Sequence, residues 1–154
     1  SGAGRGAGMT LFLGTHQPRL DDKGRMFLPA KFRDKLAGGL VITRGQERCL
    51  YVFALADFEK LAGEMSRTPV TNKAARNFQR VLLSAASDEI PDKQGRITIP
   101  AILREYAGLT KECTVIGAGN RVELWATEAW NELLASTEDE FADQAQEVIP
   151  GGLF

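Results

Sequence analysis

Cysteine and histidine are scarce in this sequence: two of the first and one of the second in 154 residues. Cys49 and Cys113 stand apart, with no C-x-x-C pair and no neighbouring histidine. That pattern excludes a disulfide framework and a structural zinc site, and both are expected to be reduced, buried thiols. A lone His16 cannot supply a multi-histidine metal centre, and no G-x-S-x-G or similar nucleophile setting accompanies it, so neither a metal, a cofactor nor an enzyme activity is expected. No apolar run approaches the roughly 20 residues that a membrane helix needs, and no signal-peptide core is visible. The expectation is a cytoplasmic protein without a membrane partner. The opening "SGAGRGAG" (residues 1–8) has no periodicity and reads as an expression scar, so the protein proper starts near Met9.

Charge of one sign is also lacking overall. The net charge of −1 argues by itself against a strongly basic nucleic-acid binder. Its distribution is more telling. From Glu123 onward there are eight acidic residues and no basic one, which leaves +7 on the residues before it. Hydrophobic content of 44% and charged content of 25% fit a globular domain.

What is present is a phrase written twice. "DDKGRMFLPAKFR" begins at Asp21 and "DKQGRITIPAILR" at Asp92, 71 residues later. Six of the thirteen positions are identical, and three more exchange one apolar residue for another. An internal repeat at fixed offset reads as a duplicated supersecondary unit. Gly24 and Gly95 give each copy a position free to take φ > 0, as a tight hairpin or bulged loop requires. "RMFL" and "RITI" follow as strands. Pro29 and Pro100 fit the first position of the short helices "AKFRDKL" and "AILREYA", which end before Gly38-Gly39 and Gly108.

The resemblance continues through "LVITRGQERCLYVF" and "CTVIGAGNRVELW", each a strand, a glycine-containing turn and a strand, and then through the helical "ADFEKL" and "TEAWNELL". Each unit thus reads as β-hairpin, short helix, β-hairpin, helix. A unit of about 50 residues buries too little surface to be stable alone, so the two are expected to share one core.

Between them, Thr68-Pro69 has the chemistry of an N-cap and first helical residue. Phe78, Val81, Leu82 and Ala85 then recur at helical spacing as an apolar stripe. Lys73, Arg76 and Arg80 fall on another face and read as a solvated surface. Near the C-terminus, Thr137 and Glu140 match the capping box of a separate acidic helix, and "VIPGGLF" reads as a frayed tail. The chain divides on this reading into residues 1–8 (scar), 9–66 (first repeat), 67–87 (linking helix), 88–136 (second repeat) and 137–154 (acidic helix and tail).

The repeated phrase has a chemical meaning. In Asp-x-x-Gly-Arg, the aspartates Asp21 and Asp92 can accept backbone N–H bonds and orient Arg25 and Arg96, four residues on. A guanidinium held this way offers a planar fork suited to phosphate oxygens or to the O6/N7 edge of guanine. A bridge that merely staples the loop is the alternative, and for one copy it is the better reading. Two copies change the weighing, because the first phrase with Arg19 carries an excess of +3 and the second +2. Arg33 and Arg104, on the short helices, are expected to pair locally with acids rather than to reach DNA.

"FLGTHQPRLDDKGRMFLPAKFR" followed by "DKQGRITIPAILRE" resembles the MraZ family, which carries a D-x-x-x-R motif in each of two AbrB/SpoVT-like repeats. The likeness runs from Met9 to about Val148. It implies an α+β, mainly β fold: a double-psi or swapped-hairpin-like β-barrel formed by two pseudo-symmetric repeats, with peripheral helices. It implies a bacterial transcriptional regulator, a repressor by expectation, acting on the division and cell-wall gene cluster. Such a protein would be nucleoid-associated and would bind short direct repeats of double-stranded DNA in its own promoter as a ring-shaped homo-oligomer, an octamer or larger. The arginines that contact DNA in the family correspond to Arg25 and Arg96. Lys23, Lys93 and Arg19 are added by position, with Asp21, Asp92, Gly24 and Gly95 as motif support. Two alternatives stay open: a dimeric AbrB or antitoxin-type regulator on a palindrome, and a protein-interaction module that grips an acidic partner without DNA.

Overall fold

A computed structural model describes residues 10–69 and 71–144. Residues 1–8, expected to be a scar, and the "VIPGGLF" segment, expected to be a frayed tail, lie outside the described residues. Eight strands and five helices follow in the order β1 (Phe12–His16), β2 (Arg25–Phe27), α1 (Ala30–Leu36), β3 (Leu40–Arg44), β4 (Leu50–Ala54), α2 (Leu55–Ser66), α3 (Lys73–Ser84), β5 (Ser87–Glu89), β6 (Arg96–Thr98), α4 (Ala101–Ala107), β7 (Cys113–Gly119), β8 (Val122–Ala126) and α5 (Thr127–Asp143). The fold is mixed α+β. The strands form a six-stranded sheet in the order β1-β7-β8-β4-β3-β5 and a separate pair, β2-β6, all antiparallel. Neither sheet closes on itself through strand pairing among the described residues, so the pairing does not describe a closed barrel.

The two halves are interleaved strand by strand. The hairpins β3–β4 and β7–β8 form as their glycine-punctuated alternation requires, and β4 joins β8 through Leu50↔Leu124 and Val52↔Val122. The strand that opens each half then crosses over: β1 pairs with β7 of the second half, and β5 with β3 of the first. The first hairpin expected in each unit is therefore absent as a self-paired element. In the first half a single bridge, Leu20↔Met26, closes locally, and β2 pairs with its own counterpart β6 instead. The cause is burial. Met26 and Leu28, with Ile97 and Ile99, alternate into one core with Phe12, Phe32, Leu36, Leu40, Ile42 and Leu103, and only the apposed halves supply that core.

The short helices α1 and α4 match their expected bounds, with Pro29 and Pro100 one place earlier than expected, at the N-cap. Gly108 ends α4 in the left-handed conformation at φ 63°. The linking helix starts later than Thr68-Pro69: Asn72 is its N-cap, its side chain accepting from the Ala75 N–H at 3.0 Å. The apolar stripe on α3 is mostly exposed. Leu82 is buried, but Phe78 and Val81 are 47% and 52% exposed. The helix meets the body through its last turns, where Thr43 Oγ1 donates to the Leu82 carbonyl and Arg44 Nη1 to that of Val81 at 2.8 Å. No separate helix begins at Thr137. Its hydroxyl donates to the Leu133 carbonyl at 2.7 Å, inside the continuous α5, so the capping-box pattern is a helix-interior coincidence.

Cys49 and Cys113 are free and buried. Burial pushes their thiols up to about 12 and about 11, away from the reactive thiolate. Glu123, first of the acidic series, is not a solvated charge: Arg121 donates to it at 2.7 and 3.0 Å and Trp125 Nε1 at 3.1 Å. No helix among the described residues is long and apolar enough to cross a membrane.

The crossing of β1 depends on one glycine. A Cβ added at Gly117 would lie 2.3 Å from the Leu13 nitrogen and 2.4 Å from the Phe12 carbonyl carbon, both backbone atoms that cannot step aside. Gly117→Ala is therefore expected to force β1 off β7 and cost about 1–3 kcal/mol, as overpacking of a closed site does. Urea unfolding followed by circular dichroism measures it; an unchanged midpoint would contradict the packing described.

Candidate nucleic-acid interface

The Asp-x-x-Gly-Arg loops are built alike in both halves. Gly24 and Gly95 take φ of 78° and 81°, the left-handed conformation that a Cβ disfavours. Each turn closes with the glycine N–H on the aspartate carbonyl, at 3.0 Å in the first copy and 2.9 Å in the second. Asp21 Oδ1 accepts from the N–H groups of Lys23 (2.9 Å) and Arg25 (2.8 Å), and Oδ2 accepts from Arg25 Nε at 2.9 Å. Asp92 repeats the set with Gln94, Arg96 and Arg96 Nε at 2.9, 2.8 and 2.8 Å. These backbone N–H bonds, from Arg25 and Arg96 foremost, hold both carboxyls below the ordinary carboxylate range. With Nε bound, the terminal nitrogens of both forks have no hydrogen-bond partner among the described residues.

The β2–β6 ribbon then sets the two forks on one surface. Its register is Arg25↔Thr98, Met26↔Ile97 and Phe27↔Arg96. Alternation buries Met26 and Ile97 and turns Arg25, Phe27, Arg96 and Thr98 to the opposite face. Arg25 and Arg96 are diagonal neighbours there, about 7–8 Å apart at the backbone by ordinary antiparallel geometry.

The loops brace each other across the pseudo-twofold. Leu28 N donates to the Gly95 carbonyl (2.9 Å), and Ile99 N to that of Gly24 (2.7 Å). Arg33 Nε donates to the Leu28 carbonyl (3.0 Å) and Arg104 Nε to that of Ile99 (2.9 Å). Among the described residues neither arginine makes the pairing with an acid that was expected. Each guanidinium lies instead against the glycine of the opposite loop: a Cβ at Gly24 would sit 2.9 Å from Arg104 Cζ, and one at Gly95 2.7 Å from Arg33 Nε. The sequence separation between each arginine and its glycine hid this contact.

Of the residues named from sequence, Arg19, Asp21, Arg25 and Arg96 line one open groove of about 500 Å³, together with Phe27 and Lys111. Arg19 is also paired with Glu112 at 3.4 Å, both well exposed. Lys23 and Lys93 stand exposed on the loops and do not line that groove, nor do Asp92, Gly24 and Gly95, although Asp92 holds Arg96, which does. Phe27 and Lys111 were missed. Phe27 had been absorbed into the apolar triplet of the motif, and period-two alternation, which sets it on the face opposite Met26 and Leu28, was the signal available.

A family model described as "MraZ protein, putative antitoxin-like" matches residues 11–81 and again 82–150, the second match starting 71 residues after the first. The chain belongs to the MraZ family. Its relatives include proteins named transcriptional regulator MraZ from Kineococcus radiotolerans (60% identical, 93% of this chain and 100% of the relative), Thermobifida fusca (58%, 93% and 100%) and Salinispora tropica (60%, 92% and 99%). The MraZ repeat and the structural repeat share one offset, so each family unit contributes one Asp–Arg loop and one strand of the ribbon.

The carboxylates give this site a pH dependence of known sign. A carboxyl whose folded pKa is depressed stabilises the folded loop above the unfolded value, near 4, and that contribution is lost as pH falls through the lower, folded value. Carboxyl carbon NMR titration is expected to find Asp21 and Asp92 both protonating below the ordinary aspartate range, with the Arg25 and Arg96 Nε–H signals broadening over the same low-pH range. Protonation of either carboxyl within the ordinary aspartate range would contradict the bonding described.

Proposed function

We propose that this chain is a DNA-binding transcriptional regulator whose β2–β6 ribbon meets the duplex. One observation carries the reading: two guanidinium forks, Arg25 and Arg96, are held by matching aspartates on one exposed face, in a chain whose relatives are named transcriptional regulators. Arg19, Lys23, Lys93 and Lys111 surround the forks as phosphate contacts, which position a protein while a few side chains reach base edges. Asp21, Asp92, Gly24 and Gly95 keep the loops in shape. The target is double-stranded DNA carrying short direct repeats upstream of the chain's own division and cell-wall gene cluster, with repression as the outcome.

The same reading includes self-assembly into a ring. Phe78 and Val81 on α3 and Phe141 on α5, the last 81% exposed, are among the exposed apolar residues available for contacts between copies. The acidic outer half of α5 then keeps negative charge on a different element from the cationic ribbon and limits non-specific adhesion.

The test is fluorescence anisotropy with duplex from immediately upstream of the gene and with a scrambled duplex, across a salt series. The native duplex alone is expected to bind tightly, with an affinity that falls linearly with salt on logarithmic axes. Arg25→Ala and Arg96→Ala are each expected to cost about 1–3 kcal/mol of binding, whereas Lys23→Ala lowers the salt slope by about one with little change in sequence preference. Equal, weak binding to both duplexes by folded, assembled protein would overturn the proposal.

A further inference from the structure

Resting on that reading, we propose that Phe27 is a base-reading residue: its ring meets the 5-methyl group of a thymine in the major groove, from one half of the ribbon only. Most of the buried aromatic side chains sit deep in the fold, with Phe12 at 0%, Phe32 at 1% and Phe53 at 5% exposure. Phe27 is 50% exposed, on the outward row of a strand whose flanking residues Met26 and Leu28 are buried at 2%. Burial therefore does not account for its large apolar side chain.

Its surroundings identify the occupant. The Arg96 guanidinium lies 5.9 Å from the ring centroid, and Asp92 anchors that guanidinium at 2.8 Å, so the ring has a fixed neighbour on the ribbon surface. Arg25, Arg19 and Lys111 share the groove with it. An aromatic ring beside two anchored guanidiniums, in a groove whose cations Arg19, Arg25, Arg96 and Lys111 outnumber its carboxylates Asp21 and Asp22, is complementary to a polyanion that carries apolar groups, rather than to an apolar protein face. A two-stranded ribbon fits the major groove, which is roughly 12 Å wide, and the apolar feature displayed on its floor is the thymine methyl.

The pseudo-twofold makes the reading one-sided. Arg25 and Arg96 are equivalent, but the counterpart of Phe27 is Thr98, a short side chain whose own N–H is directed to Glu89 Oε1 at 3.3 Å. One half thus presents guanidinium plus ring, and the other guanidinium plus hydroxyl beside a carboxylate. The two ends of the ribbon distinguish different base pairs.

The experiment replaces each thymine of the bound duplex in turn by deoxyuridine, which removes only the methyl group, and measures affinity for the wild-type chain, Phe27→Ala and Phe27→Ser. At one position the wild type is expected to lose about fourfold, the worth of one buried methyl, while the variants lose less than twofold there. Melting temperature and native mass are taken for every variant. A wild type indifferent to every replacement, or variants as sensitive as the wild type, overturns the assignment while leaving DNA recognition intact. A Phe27 variant with altered oligomer mass also overturns it, by placing the ring in a contact between copies. If the wild type does not prefer the native duplex at all, the regulator reading fails first and this inference falls with it.

Discussion

The two reciprocal hydrogen bonds between Leu28 N and the Gly95 carbonyl, and between Ile99 N and the Gly24 carbonyl, are the constraint on which the rest of the site depends. Each lies where one half's strand leaves the ribbon and meets the other half's loop. Separated halves would leave these groups, the edge of β7 and the edge of β3 without partners. A buried backbone group without a partner costs about 1–3 kcal/mol, and several such losses rival the whole stability of a small domain. Folding of the halves and presentation of Arg25 and Arg96 are therefore one event. The loops cannot be disengaged without also exposing Met26, Leu28, Ile97 and Ile99.

Arg33 and Arg104 extend that constraint. Each spends its Nε on its own half's carbonyl and lays its guanidinium on the other half's glycine. A fixed, always-charged plane suits this better than a lysine would, since it packs flat while keeping a directional donor. Glycine at 24 and 95 is thereby doubly required, by its positive φ and by the side chain lying on it. The geometry of each Asp–Arg loop is set partly by the helix of the opposite half.

That crossing also explains what could and could not be read from the sequence. The short helices, the hairpins β3–β4 and β7–β8 and the Asp–Arg grip were legible, because spacing within a few residues encodes them. The partners of β1, β2, β5 and β6 were not. Period-two alternation says which face of a strand is buried and leaves open which strand lies beside it. Local patterns misled where tertiary packing outweighed them: Thr68-Pro69 lost the N-cap to Asn72, Thr137 and Glu140 fell inside a continuous α5, and the stripe of Phe78 and Val81 faced outward. The expected acid partners of Arg33 and Arg104 belonged to the same error. Charge pairing was judged along the chain, whereas the real neighbours come from the other repeat.

A symmetric scaffold with unlike side chains has a direction. The backbone of the two loops superposes in kind, hydrogen bond for hydrogen bond, yet Asp22 and Lys23 stand where the second copy has Lys93 and Gln94, and Phe27 stands where it has Thr98. On a palindrome, two subunits related by a twofold axis would meet the duplex in opposite senses, and that polarity would be averaged over the site. On direct repeats every subunit meets the duplex in the same sense, so the inequality recurs in phase with the DNA. Head-to-tail contacts between copies, which generate rings when they close, impose the same common sense on the protein side. Within the proposed function, the divergence of the two halves is therefore what matches this ribbon to direct repeats: a perfectly symmetric pair of loops would read either strand order equally well.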